Sequence, residues 1–440
     1  MDLIIEPHSS IRGEIRVPGD KSISHRAVMC ASLASGTSKI KGFLESEDCL
    51  ATIEAFKCLG IKIRKENDVL EIKGNGIIGL QKYNRPINLK NSGTSMRLIS
   101  GILAGQNFSS VLIGDKSLNL RPMKRIISPL NKMGFSITAS DEGTPPLRIY
   151  PVEKARAIEY VLPIASAQIK SCLMFASLFA EGETKLTENF ITRDHTERMF
   201  KRFGISLHVK KTNLKKTIVV KPPIKLDPCN IEISGDFSSA SFFILAALIS
   251  PNSDLLIKSV GINPTRTALL VALKEMGANI SIENHSNAYE PTADIRIKYS
   301  RLKGIQLNPA IVPNLIDELP VLFIAAAIAQ GKTKIRGAEE LRHKESDRLE
   351  AMAKSLNSFG VKFKLFKDGI DIEGFGQDNE NPFKSAEIDS YGDHRIAMAS
   401  IIGSLRSKGA CTVKNCTNIS TSFPGFVELS NKLGMGITKV

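Results

Sequence analysis

The sequence predicts an α/β protein that uses one supersecondary unit six times. In each repeat, an apolar helical stretch precedes a short strand, and an amphipathic helix then stops at a glycine and turns into another strand. The repeats are 70–83 residues apart, far longer than those of helical solenoids, so closed domains are expected. In a chain of 440 residues, two domains of three repeats fit the usual domain size. The glycines are Gly60, Gly134, Gly204, Gly277, Gly360 and Gly434.

The first helix of each repeat is apolar on nearly all sides, which predicts that it is buried. These apolar segments are Arg26–Ala34, Met96–Ala104, Ile169–Ala180, Ala240–Ile249, Leu319–Ala329 and Ile396–Leu405. A β-type stretch follows each of them, at Thr37–Lys41, Ser110–Ile113, Thr184–Thr187, Asp254–Lys258, Thr333–Arg336 and Thr412–Lys414. The second helix has one apolar stripe and is expected at a surface. In the fifth repeat, the stripe is Leu349, Met352, Leu356 and Phe359.

Composition is that of a globular protein with a sizeable core, at 42% apolar and 24% charged residues. No apolar run reaches the length of a membrane span, about 18 residues. Residues 1–20 lack the basic start and apolar core of a signal peptide. Seven cysteines without a C-x-x-C pair indicate neither disulfides nor zinc. We therefore expect a cytoplasmic protein, whose net charge of +14 indicates a basic surface, a site for an acidic ligand, or both.

Polar and charged residues cluster where the apolar helices begin. Ser, Thr, Asp and Asn there are expected as helix N-caps, but a cap does not require the cations Lys21, Arg26 and Arg395. Cations at a helix N-terminus oppose the macrodipole by roughly 0.3–1 kcal/mol each, so their placement suggests a bound anion. The helix starts are Gly19–Arg26, Asn91–Arg97, Ser166–Gln168, Asp236–Ser239, Asp317–Glu318 and Asp393–Arg395.

A second set of polar residues recurs between the first strand and second helix of the repeats, at 120–123, 192–195, 264–266 and 342–348. In the last of these, Lys344 lies four residues and Glu345 three residues before Arg348, as on one helical turn. Such residues form either a surface ion-pair ladder worth a few tenths of a kcal/mol per pair, or part of a site. Carboxylates at Asp317 and Glu345 among these cations favour a ligand with several phosphates or carboxylates, and a proton transfer.

Nine short segments, in order and covering nearly the whole chain, form a specific pattern. They are GDKSISHR, NSGTSMR, LRPM, SAQIKS, RDHTE, IDELP, RHKESDRL, GDHRIAM and SFPGF. Together they resemble the 5-enolpyruvylshikimate-3-phosphate synthase family. The resemblance implies a two-domain inside-out α/β barrel of six βαβαββ-type repeats, with buried parallel helices and sheets outside. It implies one domain at residues 20–235, mainly on the shikimate 3-phosphate side. The other, at 1–19 plus 236–440, is implied mainly on the phosphoenolpyruvate and acid/base side.

The resemblance also implies a reaction of the shikimate pathway to chorismate, without cofactor or metal. The enolpyruvyl (1-carboxyvinyl) group of phosphoenolpyruvate passes to the 5-hydroxyl of shikimate 3-phosphate, and phosphate leaves through a tetrahedral intermediate. By that likeness Asp317 is the base, Glu345 or Lys344 donates the proton, and Lys21 takes part. The residues implied for shikimate 3-phosphate are Lys21, Ser22, Arg26, Ser166, Ala167, Gln168, Arg193, Asp317 and Lys344. Those implied for phosphoenolpyruvate are Lys21, Gly93, Arg121, Gln168, Arg348 and Arg395.

Two positions distinguish the chain within the family it resembles. Thr421 stands where many members have a lysine before [ST]-F-P, which removes one expected phosphoenolpyruvate contact. Together with SAQ and RDHTE, this places the chain nearer the family's second sequence class. Gly93 stands where some members of that class have alanine, which would crowd the phosphoenolpyruvate site. The protein is therefore predicted to bind the inhibitor glyphosate.

Other interpretations make different demands on the sequence. A UDP-N-acetylglucosamine enolpyruvyl transferase shares the sixfold plan but is expected to carry a reactive cysteine where residues 118–122 read LNLRP. A ring-shaped DNA clamp would not need carboxylates among its cations, and this chain has no Trp and six Tyr for base stacking. His25, His195 and His394 lack metal-ligand spacing. We predict a monomer that binds shikimate 3-phosphate and phosphoenolpyruvate but neither nucleic acid nor membrane.

Overall fold

The computed structural model describes residues 1–8, 10–212, 215–287, 289–376 and 380–440. The chain divides into two compact units. One, Gly19–Ile233, is called here the inserted unit and holds the first three repeats. The other, Met1–Pro18 with Ser234–Val440, is called the terminal unit and holds the last three repeats. The assignment of substrates to the two halves stays a prediction.

Twelve α-helices, two in each repeat, lie within the described ranges. In chain order, α1–α12 are Lys21–Leu33, Glu47–Cys58, Gly93–Leu103, Lys124–Lys132, Ala167–Ser177, His195–Arg202, Phe237–Ile249, Ala268–Glu275, Leu319–Ile328, Arg348–Ser358, His394–Ser404 and Phe426–Lys432. The odd-numbered helices, called inner helices, hold most of each apolar segment, although five of the six segments run one to three residues past the end of the helix. The even-numbered helices are called outer helices. Short 3-10 helices lie at Leu118–Leu120, Pro309–Asn314, Glu339–His343 and Cys416–Thr421.

The burial predicted for the inner helices is confirmed. Every residue of α7 and α9 is buried, and α1 is buried from Ile23 onwards. Within the inserted unit α3 contacts α1 and α5, and within the terminal unit α7, α9 and α11 contact one another. The outer helices bury one face, as the stripe of Leu349, Met352 and Leu356 in α10 shows. Apolar side chains of the inner helices therefore form the centre of each unit.

Each repeat forms one sheet. In chain order, β1–β23 are Leu3–Ile5, Arg12–Ile15, Ser35–Lys41, Lys62–Glu66, Val69–Asn75, Ile87–Asn88, Ser110–Ile113, Ser136–Thr138, Leu147–Tyr150, Glu159–Val161, Thr184–Glu188, Leu207–Lys211, Lys216–Val220, Ile231–Glu232, Asp254–Gly261, Asn279–Asn287, Pro291–Lys298, Gln330–Ile335, Lys362–Phe366, Gly369–Phe375, Glu387–Asp389, Cys411–Lys414 and Ile437–Lys439. In the second repeat β6 runs parallel to β7, and the hairpin β8–β9 returns antiparallel, giving the order β6-β7-β9-β8. With α3 and α4 in the connections, this is the predicted βαβαββ unit.

Strands from distant parts of the chain complete three of the sheets. The N-terminal strand β1 lies between β22 and β23 of the sixth repeat, and β2 pairs in parallel with β15 of the fourth. Conversely, β14 at the end of the inserted unit pairs in parallel with β3 of the first repeat. The chain consequently passes between the two units twice, at Pro18–Gly19 and at Ile233–Ser234.

The six predicted glycines each follow an outer helix and its C-cap residue. Their φ angles lie between +79° and +93°. Glycine adopts this left-handed conformation without the Cβ penalty of other residues and so ends the helix. The glycine period therefore marks the turn from outer helix to hairpin in every repeat. Among the described helices, none combines the length and apolar character needed to span a membrane.

Candidate active site

Five of the six inner helices begin at capping residues, as predicted. The exception is α9, whose N-cap residue Glu318 makes no side-chain capping hydrogen bond. Five caps accept a hydrogen bond from a backbone N–H in the first turn of α1, α3, α5, α7 and α11, and they are Asp20, Ser92, Ser166, Asp236 and Asp393. Because each cap precedes the apolar run, these helices begin two to five residues earlier than the apolar segments indicate. The extra turn carries the motif residues, such as Ala167 and Gln168 in α5, beside backbone N–H groups that have no partner within the helix.

Arg26 is a buried member of the predicted substrate contacts in the inserted unit. Its Nε donates to Thr196 Oγ1 at 2.6 Å, and its Nη atoms donate to the Ser22 carbonyl and the Ser171 hydroxyl, each at 2.8 Å. Burial, together with the positive charge of Arg193, lowers the pKa of Arg26 to about 10. The charge of Arg193 thus opposes that of Arg26, and an anion bound by both would offset this repulsion.

Lys21 and His25 occupy the first two turns of α1. The Lys21 ammonium forms an ion pair with Asp48 of α2. The imidazole of His25 is fully buried, and its Nδ1 lies 2.7 Å from Thr52 Oγ1. Burial and the neighbouring cations Lys21 and Arg26 hold the pKa of His25 well below its ordinary value. His25 is therefore a neutral core residue near pH 7.

Gly93 faces two arginines at the start of α3. A Cβ added to Gly93 would lie 3.1 Å from Nη1 of Arg97 and 3.1 Å from Nη1 of Arg121. Arg97 Nη1 also donates to Gln168 Oε1 at 2.6 Å, and Gln168 Nε2 donates to Thr94 Oγ1 at 3.1 Å. The structure thus brings together Gly93, Arg121 and Gln168, three predicted phosphoenolpyruvate contacts.

Arg348 in the terminal unit holds three carboxylates. Its Nη1 lies 3.2 Å from Asp317 Oδ1, its Nη2 2.6 Å from Glu345 Oε2 and its Nε 2.8 Å from Asp393 Oδ2. The Arg348 side chain is 1% exposed. Burial opposes its charge, yet Asp393, Glu345 and Asp317 raise its pKa above the ordinary arginine value. A surface ion-pair ladder is excluded here, because the shared cation is buried.

Arg395 adds a second cation beside Asp317. Its Nη1 donates to the Asp317 carbonyl at 3.1 Å, and its Nε lies 3.8 Å from Asp317 Oδ1. The backbone N–H of Arg395 donates to the N-cap carboxylate Asp393 at 2.9 Å. Asp317 therefore lies between two guanidinium groups held by α10 and α11.

The expectation that Lys344, Glu345 and Arg348 share one helical turn is wrong. Asp347 caps α10 by accepting from the Glu350 N–H at 3.0 Å, so the helix begins only at Arg348. Lys344 has an extended backbone and ends the preceding 3-10 helix. Glu345 still reaches Arg348 from the intervening turn. Burial lowers the pKa of Lys344, although the negative charges of Asp317 and Glu340 act in the opposite direction.

Several residues that build these clusters were not predicted from the sequence. Asp393 was expected only as an N-cap, but its carboxylate also binds Arg348. Arg97, Asp48 and Thr196 were not singled out, although each contacts a predicted site residue. Asp393, Arg97 and Thr196 lie in the matched segments GDHRIAM, NSGTSMR and RDHTE, whereas nothing local in the sequence distinguishes Asp48 from a surface carboxylate.

Two further expectations from the sequence concern Thr421 and metal binding. The Thr421 hydroxyl donates to the Asn418 carbonyl at 2.7 Å, so it serves its own 3-10 helix. In the part of the chain that the structure describes, there is no group of three or more His, Cys, Asp or Glu side chains suited to a metal ion.

Comparison with known proteins identifies the family. The sequence model of EPSP synthase (3-phosphoshikimate 1-carboxyvinyltransferase) matches residues 5–429. The chain is 48% identical over 439 residues to the 3-phosphoshikimate 1-carboxyvinyltransferase of Hydrogenovibrio crunogenus, across 99% of this chain and 98% of that protein. The chain belongs to the EPSP synthase family. A protein of the same name from Legionella pneumophila strain Lens is 49% identical over 436 residues, across 98% of each chain.

Solved structures agree with this assignment. The EPSP synthase of Acinetobacter baumannii is 45% identical, with a TM-score of 0.88 over 99% of both chains. The enolpyruvyl transferase NikO of Streptomyces tendae is 15% identical, with a TM-score of 0.79, and shares the fold. The predicted family, α/β fold class and 3-phosphoshikimate 1-carboxyvinyltransferase activity are confirmed. These matches favour neither the UDP-N-acetylglucosamine transferase nor the DNA clamp.

Proposed function

We propose that this chain carries out the reaction of the EPSP synthase family with Asp317 and Glu345 as base and acid on one shared cation. The supporting observation is the buried Arg348 guanidinium, whose two Nη atoms bind the two carboxylates at 3.2 and 2.6 Å. Making the enol ether requires protonation of the phosphoenolpyruvate methylene, attack by the 5-hydroxyl of shikimate 3-phosphate, and loss of phosphate. One acid and one base, exchanging roles between addition and elimination, suffice for these steps.

The proton donor has two candidates in adjacent positions. Glu345 is held on Arg348, whereas Lys344 has an ammonium whose pKa is lowered by burial and which is therefore a stronger acid than an exposed lysine. Asp317, lying between Arg348 and Arg395, is the proposed base for the 5-hydroxyl. Arg348 already donates to three carboxylates, so we infer that phosphoenolpyruvate replaces one of them and releases it for proton transfer.

Charge balance supports the proposed substrate contacts. Two phosphate monoesters and two carboxylates bring roughly −5 to −6 charges to the enzyme. In the inserted unit, Lys21, Ser22, Arg26 and Arg193, with Ser166, Ala167 and Gln168 at the start of α5, are proposed for shikimate 3-phosphate, together with Asp317 and Lys344. Lys21, Gly93, Arg121, Gln168, Arg348 and Arg395 are proposed for phosphoenolpyruvate. Removing one arginine of such a set should cost a few kcal/mol, since a desolvated anion is left unpaired.

Phosphate release from the two substrates tests the acid/base assignment. Asp317→Asn and Glu345→Gln should each lower kcat by about 10²-fold or more, because each removes a proton-transfer group without changing its size. Lys344→Met shows whether the ammonium is the donor instead. Glu373→Gln, in an exposed stretch of β20, is the matched control and should keep the wild-type rate. Wild-type rates in both Asp317→Asn and Glu345→Gln would refute the assignment.

We further propose that the enzyme acts as a monomer in the cytoplasm. Each unit buries its inner helices within itself, so neither needs a second chain to cover them. All seven cysteines are free thiols, which suits a reducing compartment. Sedimentation at enzyme concentrations used for catalysis should give the mass of one chain, and a dimer mass would contradict the proposal.

A further inference from the structure

A buried cluster of four charges lies in the inserted unit, apart from the residues assigned above. Lys170 Nζ is 3.0 Å from Glu188 Oε2 and 2.9 Å from Glu197 Oε1. Lys216 Nζ is 2.7 Å from Glu197 Oε1 and 3.9 Å from Glu188 Oε2. The side chain of Lys170 is 0% exposed and that of Glu188 is 1% exposed. Two positive and two negative charges thus neutralise each other in the core.

Lys170 and Glu197 remain charged near neutral pH. Burial favours neutral Lys170, yet Glu197 and Glu188 raise the pKa of Lys170 above its ordinary value. Burial likewise favours neutral Glu197, but Lys170 and Lys216 lower its pKa. Removing one member would leave an uncompensated charge in the core.

The four residues come from four different elements of the third repeat. Lys170 lies on α5, Glu188 ends β11, Lys216 begins β13 and Glu197 lies in the first turn of α6. Glu188 and Lys216 are directly opposite each other in the antiparallel pair of β11 and β13. We call these residues the charge cluster. It ties an inner helix, an outer helix and the sheet of one repeat together.

The charge cluster fixes the residue just before Arg193. The N–H of Thr192 donates to Glu188 Oε1 at 3.2 Å, and the Thr192 hydroxyl donates to the same oxygen. The Thr192 carbonyl accepts from Lys170 Nζ at 3.5 Å. All three polar groups of Thr192 are therefore held by the cluster, and the backbone that enters Arg193 has little freedom.

The same cluster fixes the contact of Arg26 with α6. Next to Glu197, the Thr196 hydroxyl accepts from Arg26 Nε at 2.6 Å and lies 2.6 Å from the Ser171 hydroxyl. Ser171 follows Lys170 on α5 and accepts from a second nitrogen of Arg26 at 2.8 Å. The hydroxyl pair Thr196–Ser171 thus lies beside the ion pair Glu197–Lys170, on the same two helices.

We propose that the charge cluster is a positioning device that holds Arg193 and Arg26 together for the phosphate of shikimate 3-phosphate. The inference rests on the proposed function of these two arginines. Two neighbouring guanidinium groups repel each other, so their spacing must be imposed by the surrounding structure. Preorganised cations bind an anion more tightly, because ordering them does not weaken binding. The cluster supplies the framework with no net charge of its own to compete for the arginines.

Two variants that keep all four charges test the proposal. Thr192→Val removes the hydroxyl held by Glu188 and retains the side-chain shape. Glu197→Asp retains the charge, but its shorter side chain draws the carboxylate away from Lys170. We expect each to raise the KM for shikimate 3-phosphate about tenfold, equivalent to one lost hydrogen bond to a charged group. The KM for phosphoenolpyruvate and kcat should stay within about twofold of wild type. Among the proposed phosphoenolpyruvate contacts, Gln168 shares α5 with Lys170, but its side chain is held by Arg97 and Thr94 of α3 rather than by the cluster.

A charge-pair deletion and a surface control complete the experiment. The double variant Lys170→Met/Glu197→Gln removes two opposite charges and should fold better than either single variant, while its KM for shikimate 3-phosphate stays raised. Lys185 lies on β11, the strand that also carries Glu188, and forms an exposed ion pair with Glu159 at 3.1 Å. Lys185→Met breaks this pair and should leave both KM values unchanged.

The outcomes separate the inference from the proposed function. Equal increases in the two KM values, a fall in kcat alone, or unchanged kinetics in Thr192→Val and Glu197→Asp would indicate a structural role only and overturn the inference. A wild-type enzyme that fails to release phosphate from the two substrates would overturn the proposed function, and the inference with it.

Discussion

At the scale of single residues, Gly93 shows how one absent atom sets the space at a helix N-terminus. A Cβ there would lie 3.1 Å from guanidinium nitrogens of both Arg97 and Arg121. Arg121 is also held by Asn91, to whose Oδ1 it donates at 2.8 Å, so it cannot withdraw without losing that bond. The absence of a Cβ at Gly93 therefore allows both arginines to lie close to the first residue of α3.

We predict that Gly93→Ala weakens phosphoenolpyruvate and glyphosate binding without unfolding the protein. The KM for phosphoenolpyruvate should rise several-fold, and inhibition should move from low micromolar glyphosate in the wild type to far higher concentrations. Alanine in a helix is favoured over glycine by roughly 0.5–1 kcal/mol, so thermal stability should be retained. Steady-state kinetics with both substrates and a melting curve check this. Wild-type insensitivity to millimolar glyphosate would contradict it.

The role of single motif residues as helix caps was predictable, because capping depends only on the residue type and on the few residues that follow it. Capping side chains at Ser92 and Asp393 follow from their place ahead of an apolar run, and the structure confirms them. The partners of Lys21 and Arg26 were not predictable. Asp48 and Thr196 lie in other elements of the inserted unit, and only tertiary packing brings them into contact.

At the scale of elements, two glycines let a strand cross the end of an inner helix. On β20, a Cβ at Gly374 would overlap the carbonyl oxygens of Ala326 and Ala329, at the end of α9. On β5, Gly74 lies in the same way against the end of α1. The first and fifth repeats thus use the same close approach between sheet and helix, and only a residue without Cβ fits there.

We predict that Gly374→Ala destabilises the protein by about 3 kcal/mol, because the clash is with backbone that cannot rotate away. Gly331→Ala on β18 of the same sheet is the matched control. Its φ is +90°, but a Cβ there meets nothing within 4 Å. The control should cost only the left-handed backbone strain, about 1–2 kcal/mol. Urea denaturation measures both variants, and equal losses would show that the helix approach is not the cause.

The elements also mark the limit of prediction from sequence. Apolar helices, short strands and glycine ends were predicted because each depends on neighbours within a few residues. The prediction that Lys344 lies on a helix with Arg348 was wrong, because Asp347 caps α10 and the helix begins only at Arg348. Strands β1, β2 and β14 had no local signal, since each completes a sheet whose other strands lie far away in the sequence.

At the scale of the whole molecule, charge and burial make stability depend on pH. The chain carries a net charge of +14 near pH 7. Protonation of carboxylates at lower pH raises this net charge and so increases the repulsion between the positive side chains. His25 adds a contribution of the same sign. Because its folded pKa lies well below 6.5, the unfolded chain binds a proton that the folded chain does not as pH falls below that value. Both contributions lower the free energy of unfolding in acid.

Salt and one substitution separate these two contributions. From pH 7 to 5, the buried His25 should account for a loss of up to about 2 kcal/mol, at 1.4 kcal/mol per pH unit below 6.5. Repulsion between exposed charges is screened in salt of roughly 0.5 M, whereas protonation of a buried imidazole is not. We therefore expect the urea midpoint to fall with pH even in high salt, and His25→Asn to remove most of the remaining slope. The same slope in His25→Asn and in wild type would show that surface charge alone controls acid stability.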